Sequence, residues 1–159
     1  MPKFSVTRKV PFTVDQVFAI SSDVAQYRQF LPLVRRSVVR NKAVLPDGRE
    51  TFEAELTIAY KKLGIVETLH SNVTVDRPNR TIRAQSAQGP VTNLDATWKI
   101  VETGPASCEI EFNVDYALKS RTLQFVLSGM FDMMVRKVLA SFEERARSLY
   151  GSAQAKASA

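Results

Sequence analysis

The sequence predicts an α+β domain: a curved antiparallel sheet of about seven strands, wrapped around one long C-terminal helix, with two short helices after the first strand. Three observations predict it. Apolar residues alternate with polar ones over about seven segments, the pattern of a strand with one buried face. Turn residues separate these segments at regular intervals, which suits an antiparallel meander. Near the end the apolar spacing changes to three and four, the period of a helix with one buried stripe.

Phe4, Val6 and Val10 mark the first strand, which Pro11 ends. Thr13 is a helix N-cap with Gln16 at the capping-box position. Val14, Val17, Phe18 and Ser21 form one face of the helix that follows. Asp23 is expected to cap a second short helix carrying Val24, Tyr27 and Phe30, stopped by Pro32. From Val34 the period becomes two, and Pro46-Asp47-Gly48 makes a turn in which proline fixes φ and glycine accepts a positive one. Phe52, Ala54, Leu56, Ile58 and Tyr60 face one way on the next strand, and Lys61 to Gly64 turns the chain. Ile65, Leu69, Val73 and Val75 continue the sheet, then a short strand around Ile82 and Ala84. Leu94, Ala96, Trp98 and Ile100 alternate next, followed by Cys108, Ile110, Phe112, Val114, Tyr116 and Leu118. Ser120 caps the last helix, about Arg121 to Leu149, roughly 40 Å long. Its expected stripe is Leu123, Leu127, Met130, Met134, Val138, Phe142, Ala146 and Leu149. A sheet with one polar face must cover the other, and this helix is the only element long enough to do so.

The 159 residues suit one domain, expected over residues 1–150, with 151–159 read as a disordered tail. There is no apolar run of about eighteen residues, so no membrane span is predicted. The N-terminus lacks the pattern of a signal or transit peptide, and the single Cys108 allows no internal disulfide. These features predict a bacterial-type cytoplasmic chain. The net charge of +6 fits simple solubility, or attraction to an anionic membrane surface or RNA. Its local clusters are Arg35, Arg36, Arg40 and Lys42; Lys61 and Lys62; and Arg77, Arg80 and Arg83.

Signs of catalysis are sparse. His70 is the one histidine, and its strand parity is opposite to Leu69 and Val73. Cys108 shares parity with Ile110 and Phe112 and reads as a buried thiol. One histidine and one inward cysteine exclude a common zinc site. No nucleophile elbow, Gly-rich phosphate loop or His-Glu-x-x-His is present. Glu67 breaks its pattern by sharing parity with Ile65 and Leu69. An inward carboxylate needs a ligand head, an arginine or a place at an open rim. Trp98 also points inward, as core or as a ligand platform.

The last helix carries one further signal. Between Leu123 and Val135 its strongly polar residues are Gln124 and Asp132, and Phe125, Val126, Phe131 and Met133 lie off the stripe. This half either lies deeper in the core, or lines a cavity or presents an apolar patch. Met130, Met133 and Met134 suit an adaptable surface.

Several motifs, in order, resemble those of the coenzyme Q-binding protein family: Asp23-x-x-x-Tyr27-x-x-Phe30-Leu31-Pro32, Glu67, Ser71-x-Val73, Gly89-Pro90-x-x-x-Leu94-x-x-x-Trp98, and Phe142-Glu143-x-Arg145-Ala146. The resemblance covers roughly residues 3 to 150. That family belongs to the START-like group, the polyketide cyclase/dehydrase and lipid transport superfamily, and has bacterial relatives named ribosome association toxins. The resemblance implies a helix-grip fold with a cavity between sheet and helix. It implies binding of ubiquinone or a related isoprenoid, in support of quinone biosynthesis or delivery to the respiratory chain. No catalytic residue, metal or covalent cofactor follows from it, so the chain is read as a binding protein and not an enzyme. On this reading Tyr27, Phe30, Leu31 and Pro32 form a lip at the cavity mouth. Glu67, Trp98, Phe112, Tyr116, Phe125, Met130 and Met134 meet the lipid. The implied partners are the quinone, an anionic membrane surface contacted peripherally on its inner face, and, as the alternative, the large ribosomal subunit. The chain departs from the family pattern at Leu33 and Val34, where a bulky residue and a cysteine are common. It departs also at Val91, where Phe is common, and at Asn72, where a basic residue is common. These departures bear on the shape of the pocket.

Overall fold

The computed structural model describes residues 3–151. The expected disordered tail falls, beyond Gly151, outside the described residues. One antiparallel sheet of seven strands runs in the order β1-β7-β6-β5-β4-β3-β2. The strands are β1 (Lys3–Val10), β2 (Val34–Val44), β3 (Glu50–Tyr60), β4 (Ile65–Asp76), β5 (Thr81–Ser86), β6 (Val91–Gly104) and β7 (Ser107–Leu118). Helix α1 (Val14–Ser22) follows β1, and α2 (Arg121–Tyr150) closes the chain. The polar and apolar periods of the sequence set these boundaries, and the structure matches them closely.

Local chemistry explains the helix starts. The Gln16 amide donates to Thr13 Oγ1 at 3.1 Å, and the Thr13 amide donates to Gln16 Oε1 at 3.0 Å. This reciprocal pair satisfies two donors that have no intrahelical partner. Ser120 accepts from the Leu123 amide at 3.1 Å and caps α2 with this single bond.

The second short helix departs from expectation. Val24–Gln29 is a 3-10 turn, and Asp23 makes no side-chain cap to it. The segment is instead held by β2: Ser37 Oγ accepts from the Arg28 amide at 3.2 Å and donates to the Ala25 carbonyl at 2.8 Å. The amides of Phe30 and Leu31 both return to the Tyr27 carbonyl, which tightens the exit ahead of Pro32.

The curved sheet grips α2, and the core sits mainly against the second half of that helix. Val135, Leu139, Phe142 and Ala146 are its buried residues. The expected stripe is therefore corrected: Val135 and Leu139 belong to the buried face, and Leu149 is 51% exposed. A constant spacing of three to four drifts around a straight helix, so the expected stripe slid off the contact face by the last turn. Phe142 meets Tyr27, Phe30 and Trp98 edge-on, with ring centroids 5.6, 5.4 and 5.1 Å away. Arg8 Nε donates to Glu143 Oε1 at 3.1 Å and ties β1 to α2. Cys108 is fully buried, and burial pushes its thiol up to about 11.

Candidate functional site

The first half of α2 packs differently. None of its residues from Arg121 to Met134 is fully buried. Between this half and the sheet lies a cavity of about 200 Å³. Its walls come from four sources: Ile58 and Tyr60 of β3 with Ile65, Glu67 and Leu69 of β4; Val91 and Leu94 of β6 after Pro90; Tyr116 and Leu118 of β7; and Leu123, Val126, Leu127, Met130, Phe131 and Met134 of α2. Strand parity puts the inward side of β3, β4 and β7 toward this space, a register shift between Val91 and Asn93 brings both Val91 and Leu94 of β6 to it, and the helical period presents α2 to it.

The turn before β6 helps shape the wall. Gly89 has φ +70°, and a Cβ there would lie 3.2 Å from the Thr68 carbonyl oxygen. Only glycine lets this turn fold so closely over β4, which delivers Pro90 and Val91 to the cavity.

Two polar features border an otherwise apolar lining. Glu67 is the one charged wall residue and is exposed, so it occupies the rim. On the other side, Tyr116 Oη and Ser128 Oγ are 3.5 Å apart, and Gln124 Nε2 donates to Ser128 Oγ at 3.1 Å. Gln124 Oε1 accepts from the Leu118 amide at 2.7 Å. This chain of bonds fastens the first turns of α2 to the end of β7. Tyr116 also stacks on Phe131 at 4.5 Å.

Four of the residues expected to meet a lipid line this cavity: Glu67, Tyr116, Met130 and Met134. Trp98 and Phe112 do not; their rings pack together with centroids 4.1 Å apart, and Trp98 leans on Phe142. Phe125 is 83% exposed on the outward side of α2. The expected lip is also relocated. Tyr27 and Leu31 are buried in the core, Phe30 packs against Tyr27 and Phe142, and Pro32 is exposed beside them. The physical reason is that Phe142 offers this aromatic group a dry neighbour in the second half of α2. The Tyr27 hydroxyl donates to the Ser21 carbonyl. Burial, and then the charge of Asp23, raises its phenol well above the usual range. The apolar linker that stood out in the sequence is thus an anchor under the helix.

On the sheet side the sequence reading named only Glu67 and Tyr116 as meeting a ligand and missed Ile58, Tyr60, Ile65, Leu69, Pro90, Val91, Leu94 and Leu118. It noted Val126 and Phe131 as apolar residues off the stripe in a half that could line a cavity, without naming them among the lipid-meeting residues. The available signal was the crowding of apolar residues on two adjacent helical faces between Leu123 and Met134.

A curved sheet gripping a long helix over an apolar cavity defines a helix-grip, START-like protein. The chain belongs to the polyketide cyclase / dehydrase and lipid transport family, whose sequence profile matches residues 10–143. It is 25% identical over 152 residues to the Ribosome association toxin RatA of Escherichia coli (strain K12), covering 96% of this chain and 91% of that protein. It is 28% identical over 153 residues to the mitochondrial Coenzyme Q-binding protein COQ10 homolog B of Xenopus laevis, covering 94% of this chain and 59% of that protein. A START superfamily protein from Mycobacterium smegmatis superposes with a TM-score of 0.78 at 20% identity, covering 92% of this chain and 98% of that one. Among the described residues, no helix is long and apolar enough to cross a membrane.

Proposed function

We propose that the protein binds an isoprenoid lipid, ubiquinone or a close chemical relative, in the cavity between the sheet and the first half of α2. The observation that carries this reading is the cavity wall: sixteen residues with one charge, placed at the rim. Apolar burial at roughly 25 cal/mol per Å² supplies the affinity. A volume of about 200 Å³ is below that of sites enclosing a drug-sized ligand. It takes a head group or a few prenyl units, and the rest of a long chain leaves through the mouth. Similarity to a Coenzyme Q-binding protein supports the choice of a quinone.

Binding is favoured over catalysis. A cyclase needs acid and base groups converging on the substrate. Here the wall has one carboxylate, Glu67, and no basic residue. The test is to purify the protein without detergent from a quinone-producing bacterium, extract it with organic solvent and identify bound lipid by mass spectrometry. The expected result is a near-stoichiometric quinone, lost from a cavity-filling Leu127→Trp variant that keeps its circular dichroism spectrum. Absence of lipid from the parent protein, in cells rich in quinone, would overturn the reading.

Similarity to a ribosome association toxin favours a second reading, attachment to the large ribosomal subunit. It predicts co-sedimentation with that subunit that falls steeply between low and moderate salt.

A further inference from the structure

The cations at the two ends of the sheet differ in state. At the end away from the cavity, the connections 45–49 and 77–80 hold Arg49, Arg77 and Arg80, and each is neutralised. Arg49 meets Asp47 at 2.8 Å, Arg77 meets Glu50 at 2.9 Å and Arg80 meets Asp15 at 2.6 Å. At the cavity end, the connections 61–64 and 119–120 and the first turn of α2 hold Lys61, Lys62, Lys119 and Arg121 and no acid. All four are exposed, and none has an ion-pair partner among the described residues. The other sequence clusters are consumed in part within the fold: Arg36 and Arg40 lie against Glu55 and Arg83 makes two bonds to Asp95, while Arg35 and Lys42 make no ion pair among the described residues. Other cations, Lys42 at the far end among them, also make no ion pair among the described residues, but Lys61, Lys62, Lys119 and Arg121 are the four that border the apolar opening.

Two further observations say which partner. Phe125 stands one turn into α2 beside these cations, 83% exposed. An exposed aromatic among lysines and arginines is the composition of segments that lie in a membrane interface. The cavity residues Tyr60, Ile65, Pro90 and Leu118 flank the same connections, so the cations surround the apolar space. A nucleic-acid backbone has no use for that juxtaposition, whereas a bilayer matches both parts of it.

We propose that this end of the protein docks on an anionic lipid bilayer. Lys61, Lys62, Lys119 and Arg121 lie over the head groups, and Phe125 enters the interface. A long apolar ligand then passes between bilayer and cavity without crossing water. The role of the surface rests on the lipid-binding reading above.

The test is flotation of the full chain with vesicles of phosphatidylcholine, and of phosphatidylcholine containing phosphatidylglycerol. Binding is expected on the anionic vesicles and to weaken with salt. Lys61→Gln/Lys62→Gln lowers partitioning roughly 30-fold, and Phe125→Ser lowers it about tenfold. Lys42→Gln, the loss of one charge at an exposed site away from the cavity, leaves it unchanged. Equal binding to both vesicle types overturns the proposal, as does an equal loss per charge from Lys42→Gln. Loss of ribosome co-sedimentation in the Lys61/Lys62 variant, with no vesicle binding by the parent, overturns it in favour of RNA. Solvent extraction of the same preparations keeps the two readings apart: lipid in the cavity without vesicle docking sinks this surface and spares the cavity.

Discussion

Phe142 and Phe125 stand on one helix, yet the first is 2% exposed and the second 83%. The difference follows from what each half of α2 faces. The second half meets α1, the 3-10 turn, Trp98 of β6 and Arg8 of β1, and it is pinned at its flanks. Arg8 bonds Glu143, and Arg145 donates to Gln29 at 3.1 Å while its guanidinium lies over the Phe30 ring at 5.3 Å. The first half faces a cavity. Phe131 packs on Phe4 and Tyr116, but Leu123, Val126, Leu127, Met130 and Met134 are only half-buried along the cavity wall, so they forfeit part of the dispersion energy that full packing would give. One helix therefore anchors the fold with one half and leaves apolar surface for a ligand with the other.

The largest expected effect is on the anchored half. Phe142→Ala removes the ring shared by Tyr27, Phe30 and Trp98 and lowers unfolding stability by about 4 kcal/mol, read from urea denaturation. Met130→Ala, on the half-buried cavity wall, lowers stability of the lipid-free protein by about 1 kcal/mol but strips bound lipid. Equal destabilisation by the two substitutions would erase the contrast. Gly129→Ala sharpens it from the other side. A Cβ at Gly129 meets nothing within 4 Å, so the gain in helix propensity, at most about 1 kcal/mol, should appear as a higher thermal midpoint. A loss instead would mean that the first half needs its glycine.

The smallest effect is at Cys108, on the strand end paired with Val10. Burial moves its thiol from 9.0 to about 11, so the unfolded chain loses this proton first. Its contribution is full below about pH 9 and declines as pH rises toward 11. Thiol labelling at neutral pH should track global unfolding. Labelling that accelerates when the cavity is emptied would show that the two halves open together.

Much of the fold was legible because strand and helix periods are local. Thr13, Gln16 and Ser120 announced their caps, and Phe52 to Tyr60 announced a strand by alternation alone. Part of the cavity was legible too: four of its sixteen wall residues, Glu67, Tyr116, Met130 and Met134, were named from the sequence. Tyr27, Phe30 and Leu31 were misplaced for a physical reason. A greasy linker has the same sequence whether it meets lipid or a phenylalanine more than a hundred positions away.

By itself, then, the sequence determined the order of elements, the side of each strand that turns inward, and the length of the helix that covers them. Tertiary structure alone decided which half of α2 is buried and which borders a cavity, because that depends on which distant residues fold against each half. It also decided which cations remain unpaired. Arg77, Arg80 and Arg83 look as free in the sequence as Lys61 and Lys62, and only folding brings Glu50, Asp15 and Asp95 beside them.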